Sequence, residues 1–466
     1  MQKRMCFDDV AWEQSETISD AWVAELFQTD NLRAIGDFIV RHRKGVPAEL
    51  CQPRAGAFNV SFRMRFEDGG SALIRFPKPG ATMFPEEKVR NEVAVIKYIQ
   101  EYTSISVPFI LHWGTKKESP LNLGPFILMG YIDHDTDLGT ALNTPTLSIE
   151  ECPILDPSID IDKLEMLYKQ LADILLQLSQ LSLPRIGSLA QMNDFTWDVR
   201  HRPLSIGMNE LVRLGTLPRS TLPTDTFKTT SSYFKALADL HCAHLSHQRN
   251  DAVDSANDCR RKFVARQLFS RLAREGRLTH STNEHGPFRL WCDDLRPSNV
   301  LINKDLQIVG VIDWEFTYAA PAEFSHAPPW WLLLEQPEYW PDGIEAWAEA
   351  YESRLHTFLK VLAEREEIAI QQGRLRQEGR LSGCMRQSWN FAFDAVFWKK
   401  LDNRFFGPCT VAEEDRWEER IGLLGEEGIR CMEQVVGKKL GQMETRALSW
   451  EPEEVDTVKP IISLST

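Results

Sequence analysis

The sequence predicts an α+β fold in two lobes: a small, β-rich N-lobe over 51–132 and a larger, mainly helical C-lobe over 133–466. An N-terminal helical extension over 1–50 precedes them. Three observations carry this expectation. The chain has 466 residues, too many for one compact core. Between Phe58 and Ile132 the hydrophobic period switches from two to that of a helix and back. Beyond Asp133 the pattern is helical almost throughout, with one clear β interruption from Phe288 to Phe316.

Residues 1–50 read as amphipathic helix, for example "DNLRAIGDFIVRHR". From Phe58, "FNVSFRMRF" alternates apolar and polar residues, "EDGG" turns the chain and "SALIRF" alternates again, which predicts an antiparallel hairpin. "PEEKVRNEVAVIKYIQEY" sets Val89, Val93, Ile96 and Ile99 at helical spacing. Two short apolar runs, "VPFILHWG" and "GPFILMGYI", complete the lobe as strands. In the C-lobe, "DKLEMLYKQLADILLQLSQL" lines Leu164, Leu167, Leu171, Ile174, Leu175 and Leu178 along one helix face. Further helices are expected over residues 227–248, 257–277, 343–364 and 381–402. The interruption reads as strand "FRLWC", loop "DDLRPS", strand "NVLI", turn "NKD" and strand "LQIVGVI".

Composition narrows the partners. A net charge of −14 argues against duplex nucleic acid, whose affinity comes largely from Lys and Arg neutralising phosphates. Nine scattered cysteines, with no CxxC pair or Cys/His cluster, indicate neither a zinc site nor a disulfide framework. The opening "MQKRMCFDDVAWEQSE" lacks the apolar core of a signal peptide, and the longest apolar burst, Trp330 to Leu334, is too short to span a bilayer. A cytoplasmic protein is expected, with no nucleic-acid, membrane or protein partner indicated.

The chemistry is concentrated in "CDDLRPSNVLINKDLQIVGVIDWEF". Phosphoryl transfer needs a carboxylate aimed at the attacking hydroxyl and metal ions held by oxygen ligands. Asp294-Leu295-Arg296-Pro297-Ser298-Asn299 fits the D-L-x-x-x-N spacing of a kinase catalytic loop, and Asp313 follows an apolar strand. Asp294 therefore takes the base role, and Asn299 and Asp313 the metal, for which Mg²⁺ is the suitable ion. Asp293 has the wrong offset to Asn299. It is expected to pair with a nearby arginine such as Arg296, or to stay solvated.

At these residues the chain resembles the aminoglycoside phosphotransferase/choline kinase family, which has a protein-kinase-like fold. The phrases "DDLRPSNVLI", "VIDWEFTYAAPAEF" and "PPWWLLLEQPE" resemble its fungal phosphotransferase branch. The resemblance implies an ATP- and Mg²⁺-dependent kinase acting on a small-molecule hydroxyl. It also has departures. Cys292 and Asp293 stand where the family motif has His and Gly, and Arg75 replaces the nucleotide-anchoring Lys, with Glu92 as its expected helix partner. An arginine can still bind phosphate, with a surface arginine on a strand edge as the alternative. "FILMGYI", with Met129, Gly130 and Tyr131, either resembles the segment that clasps adenine through its backbone or is an ordinary buried strand end. Asn59 and Ser61, after Gly56, either help cover the phosphates or belong to a plain hairpin turn. Arg296 contacts the transferred phosphate or bridges to Asp293. Glu315 assists a metal or supports one by hydrogen bonding, and Trp330 and Trp331 read as core rather than as a substrate platform.

Two rivals remain. A protein kinase is disfavoured because "APAE" follows Asp313 too closely to leave a peptide-docking activation segment. A catalytically weak or inactive nucleotide-binding pseudokinase or scaffold is the alternative, although no base or metal ligand is missing.

Overall fold

The computed structural model describes residues 8–147, 151–382, 397–443 and 445–448. Two helices, α1 (Asp9–Leu26) and α2 (Thr29–Arg43), lead into a six-stranded antiparallel sheet. Its strands are β1 (Pro47–Leu50), β2 (Arg54–Ala55), β3 (Asn59–Phe66), β4 (Ser71–Pro77), β5 (Ile110–Gly114) and β6 (Phe126–Gly130). They run in the order β1-β3-β4-β6-β5, with β2 on the first half of β3. The sheet thus begins at Pro47, inside the stretch expected to be helical. Helix α3 (Pro85–Tyr102) crosses between β4 and β5.

The period of two decides which side chains reach the site. Val60, Phe62, Met64 and Phe66 of β3 join Ala72, Ile74 and Phe76 of β4 in a core covered by Ile35, Phe38 and Ile39 of α2. Each large apolar side chain buried there contributes about 1.5–3 kcal/mol. Alternation sends Asn59, Ser61, Leu73 and Arg75 to the opposite face, where Ile127 and Met129 of β6 meet Val89 and Val93 of α3. Arg75 is therefore held between sheet and helix.

The C-lobe begins with β7 (Thr136–Asp137) and α4 (Leu138–Leu142), followed by α5 (Ile161–Gln180), β8 (Ser182–Leu183), β9 (Ser188–Asn193) and β10 (Thr196–His201). Helices α6 (Ile206–Arg213), α7 (Thr230–His247) and α8 (Ala256–Arg274) lead to β11 (Phe288–Cys292), β12 (Val300–Ile302), β13 (Ile308–Val311) and β14 (Thr317–Ala320). Helix α9 (Ala322–Ser325) and the long α10 (Gly343–Gln371) follow. The leucine face expected for α5 is buried except for the half-buried Leu175, and α10 lies along that helix with Lys360–Glu165 and Arg365–Asp173 ion pairs between them. The helix expected over 381–402 lies outside the described residues from 383 to 396.

One feature corrects the expected topology. The C-lobe holds more β structure than one interruption: β9 and β10 form a hairpin of their own. Strand β11 stands apart from the β12–β13 hairpin. It pairs with β14 and β8, while β12 lies between β13 and β7. Among the described residues no helix is long and apolar enough to cross a membrane.

Helix α1 ties the lobes together. Ser15 Oγ donates to Gly80 O at 2.9 Å and accepts from Arg213 Nε of α6 at 2.7 Å, and Asp8 N donates to Leu214 O at 3.0 Å. Gly80 has φ +80, and a Cβ there would stand 2.3 Å from Ser15 O, backbone against backbone. Gly80→Ala should therefore push α1 off the loop and cost about 1–3 kcal/mol. Thermal unfolding and proteolytic cleavage within α1 measure the effect.

Candidate active site

Strand β11 ends at Cys292, and residues 293–299 loop out before the β12–β13 hairpin returns the chain. The pairing of Val300 with Val311, together with the Ile312 N to Asn299 O hydrogen bond of 2.9 Å, brings Asn299 and Asp313 side by side. Asp313 takes the left-handed backbone conformation with φ +61. Its side chain keeps 28% of its exposure, enough to meet a ligand.

Asn299 Nδ2 donates to Asp294 O at 2.8 Å and to Asp294 Oδ2 at 3.3 Å. The amide nitrogen is thereby committed to the loop, which leaves its oxygen for another partner. Burial pushes the Asp294 carboxyl up to about 7, against the pull of Arg296 and with the help of Glu315 and Asp313. Arg296 Nε lies 3.3 Å from Asp294 Oδ1 and is 45% exposed. Arg296 therefore pairs with Asp294, which corrects the expectation of a bridge to Asp293.

Asp293 is half-buried, and its carboxylate is held by groups other than an arginine. It accepts from the indole of Trp291 at 2.8 Å and from the Ile206 amide, at the start of α6, at 2.9 Å. Burial raises its carboxyl to about 6, although both donors pull the other way. Cys292, where the motif has His, donates its thiol to Glu315 O at 3.7 Å and so joins the loop to the segment after Asp313.

Across the lobe junction Arg75 is nearly buried and divides its guanidinium, with Nη2 on Glu92 Oε1 and Nη1 on Asp313 Oδ1. Burial disfavours its charge, but Glu92, Asp313 and Glu315 outweigh that and hold the proton more tightly than in a free arginine. Arg75 is thus no edge residue. The expected Glu92 partnership is present, and Asp313 joins it.

Other expected residues sit differently. Asn59 is buried: its Nδ2 donates to Glu315 Oε2 at 2.8 Å and its Oδ1 accepts from Lys88 Nζ at 2.7 Å. Its side chain is therefore occupied beneath the sheet rather than turned to a phosphate. Ser61 stands opposite Arg75 on the same face. Gly56 N closes the preceding turn on Asn59 O at 2.8 Å, which matches the plain-turn alternative. Met129 is buried against Val89 and Val93. The Gly130 amide donates to Phe109 O and the Tyr131 amide to Ser71 O, so both are already committed to the sheet. The Tyr131 ring lies under the Arg63 guanidinium at 3.5 Å. Trp331 is core, with Trp330 packed against it.

Sequence reasoning missed Lys88. It is 2% exposed and ion-paired to Glu315, which is also 2% exposed. Burial alone would raise the Glu315 carboxyl, but Lys88 and Arg75 hold it below the ordinary value. Glu315 is therefore tied to the N-lobe and is not open to a metal. No local signal marks it, because its partner Glu315 lies far along the chain.

A scan of protein families places residues 49–362 in the phosphotransferase enzyme family, well over half of the 466 residues. The chain belongs to this family. Among solved structures, it is similar to a macrolide 2'-phosphotransferase type I at 11% identity and a TM-score of 0.39, covering 88% of this chain and 97% of that one. A Plasmodium vivax ethanolamine kinase matches at 11% identity and a TM-score of 0.37, over 82% of this chain and 84% of that one. An amicoumacin kinase bound to AMP-PNP, Ca²⁺ and its antibiotic matches at 12% identity and 0.38, over 84% and 96%. No match is found among curated proteins. As a member of this family the protein is a small-molecule phosphotransferase.

The donor set suits a hard cation, since Asn299 and Asp313 offer one amide and one carboxylate oxygen. Among the described residues no group of three or more His, Cys, Asp or Glu is arranged to hold an ion alone. A metal here would complete its shell with phosphate oxygens and water, as Mg²⁺ does.

Asp293→Asn separates the two adjacent aspartates. Asparagine keeps one acceptor oxygen, so either the Trp291 indole or the Ile206 amide faces a donor. The expected loss is about 1–3 kcal/mol of unfolding free energy, with nucleotide affinity unchanged. The wild type has its own pH signature. With a folded value of about 6 above the ordinary 3.8, the folded state retains a proton in that window, so this group's contribution to stability falls as pH rises through it. Asp293→Asn should lack that slope. Urea titrations at several pH values measure both effects.

Proposed function

We propose that this protein transfers the γ-phosphate of ATP, in the presence of Mg²⁺, to a hydroxyl group of a small molecule. The observation that supports this best is a convergence at one lobe junction. Asp294 is a half-buried carboxylate with raised proton affinity, Asn299 and Asp313 are adjacent oxygen donors, and Arg75 is a cation aimed at them from the sheet. In this reading Asp294 accepts the hydrogen bond of the acceptor hydroxyl and takes its proton, near the pH at which such a base is most effective. The partly exposed Arg296 meets the transferred phosphate. Arg75, kept in place by Glu92, anchors the other phosphates. Asn299 and Asp313 hold the Mg²⁺, which when bound neutralises phosphate charge and aligns the group to be transferred.

A small acceptor fits better than a peptide. The short stretch between Asp313 and α9 is filled by β14, whose four residues are all buried, and no segment there is free to dock a polypeptide. A nucleotide-binding scaffold without turnover is the second reading. It is favoured by the direct Arg75–Asp313 pair, which engages the proposed metal ligand.

Turnover of labelled ATP with a library of hydroxylated metabolites tests the proposal. Asp294→Asn should lower turnover by about 10²-fold or more while ATP still binds. Calorimetric titration of ATP with and without Mg²⁺ separates the readings further. Asp313→Ala should remove the Mg²⁺-dependence of binding, whereas Asn299→Ala, losing only a neutral ligand, should be partly rescued by higher Mg²⁺. Wild-type ATP affinity indifferent to Mg²⁺ would contradict the metal site and leave the scaffold reading.

A further inference from the structure

We propose that Lys88 is a positioning residue for the metal-binding segment, acting through Glu315 rather than on the nucleotide. The inference rests on the reading of Asp313 as a metal ligand, and adds a tie between the lobes separate from the Arg75–Asp313 pair.

Three separate pieces of chain meet at the Lys88 ammonium. Lys88 itself comes from the first turns of α3, Asn59 from the start of β3, and Glu315 from the segment two residues beyond Asp313. Each closes on the other two: Lys88 pairs with Glu315 Oε2, Asn59 Oδ1 accepts from Lys88 at 2.7 Å, and Asn59 Nδ2 donates to Glu315 at 2.8 Å. Apolar contacts seal the triangle. Phe58 stacks edge-on against Phe316 at 5.2 Å, and the Lys88 ammonium lies 5.8 Å from the Phe316 ring.

An ammonium so placed cannot serve as a phosphate ligand. It is 2% exposed and already enclosed by two oxygens. Its hydrogen-bonded route to the site runs through Glu315, whose backbone carbonyl accepts from Cys292 at the base of the catalytic loop. Asp313 is ion-paired to Arg75 from the N-lobe, and a bound nucleotide competes for that cation. Lys88–Glu315 contains no group the nucleotide needs. It can therefore hold the segment carrying Asp313 at the junction while Arg75 changes partners. Residues that orient ligands in this way typically shift metal affinity by about 10–100-fold when removed.

The test uses the full chain with the non-hydrolysable analogue AMP-PNP and MgCl₂. Because Lys88→Met leaves Glu315 buried without its cation and can fail to fold, the double variant Lys88→Met/Glu315→Gln, which removes both charges, is measured beside it. Calorimetry gives AMP-PNP affinity without Mg²⁺ and the Mg²⁺ concentration at which binding is half-maximally tightened. The double variant should fold, bind AMP-PNP alone as the wild type does, and need about tenfold more Mg²⁺ or beyond. Hydrogen exchange on the nucleotide-free protein should show faster amide exchange across residues 312–317. A folded double variant with the wild-type Mg²⁺ midpoint and wild-type exchange would overturn the proposal. Failure of the underlying reading looks different, since the wild type itself would then show no Mg²⁺ midpoint.

Discussion

The arrangement of the junction depends on one buried guanidinium shared between two carboxylates. Arg75 joins Glu92 within the N-lobe to Asp313 in the C-lobe, and the sheet's alternation leaves it no other direction to face. Removing such a charge from water costs several kcal/mol, which neighbouring anions must offset. Arg75 and Lys88 face Glu92, Asp313 and Glu315, so the cluster carries an excess of negative charge when all five are ionised. A site with surplus carboxylate and an accessible Asp313 is suited to a divalent cation accompanied by phosphates.

The departures from the family motif become intelligible around this cluster. With Cys292 in the place of His, a thiol makes the contact to the Glu315 carbonyl and still joins the catalytic loop to the segment after Asp313. With Asp293 in the place of Gly, a carboxylate reaches the start of α6 and fixes the loop from its other side. Both changes keep Asp294 where it is, with its backbone carbonyl and carboxylate held by Asn299. The two adjacent aspartates thus divide their work: Asp293 anchors and Asp294 faces the site.

What the sequence revealed follows from how local each signal is. The β3–β4 hairpin and α3 were legible because alternation and helical spacing are written within a few residues, and the Asp294–Asn299–Asp313 spacing is confined to one loop and hairpin. The β9–β10 hairpin was not legible, because its exposed positions and lack of an Asn-Gly turn leave little alternation. Strand β14, buried at all four positions, has no period of two to read. The Ile206 partner of Asp293 and the Glu315 partner of Asn59 lie 87 and 256 positions away, and only the folded chain brings them together. Lys88 was overlooked for the same reason: a lysine on an amphipathic helix is usually solvated, and nothing local marks this one as buried.

The central claim is that the Arg75–Asp313 pair is the resting form of a phosphate- and metal-binding site. A crystal structure of the protein with AMP-PNP and Mg²⁺ addresses it most directly. The account predicts Mg²⁺ on Asp313 and Asn299, with Arg75 moved from Asp313 to the phosphates while keeping Glu92, and the Lys88–Glu315 pair unchanged. Nucleotide bound elsewhere, or bound here with Arg75 still on Asp313 and no metal between them, would contradict it.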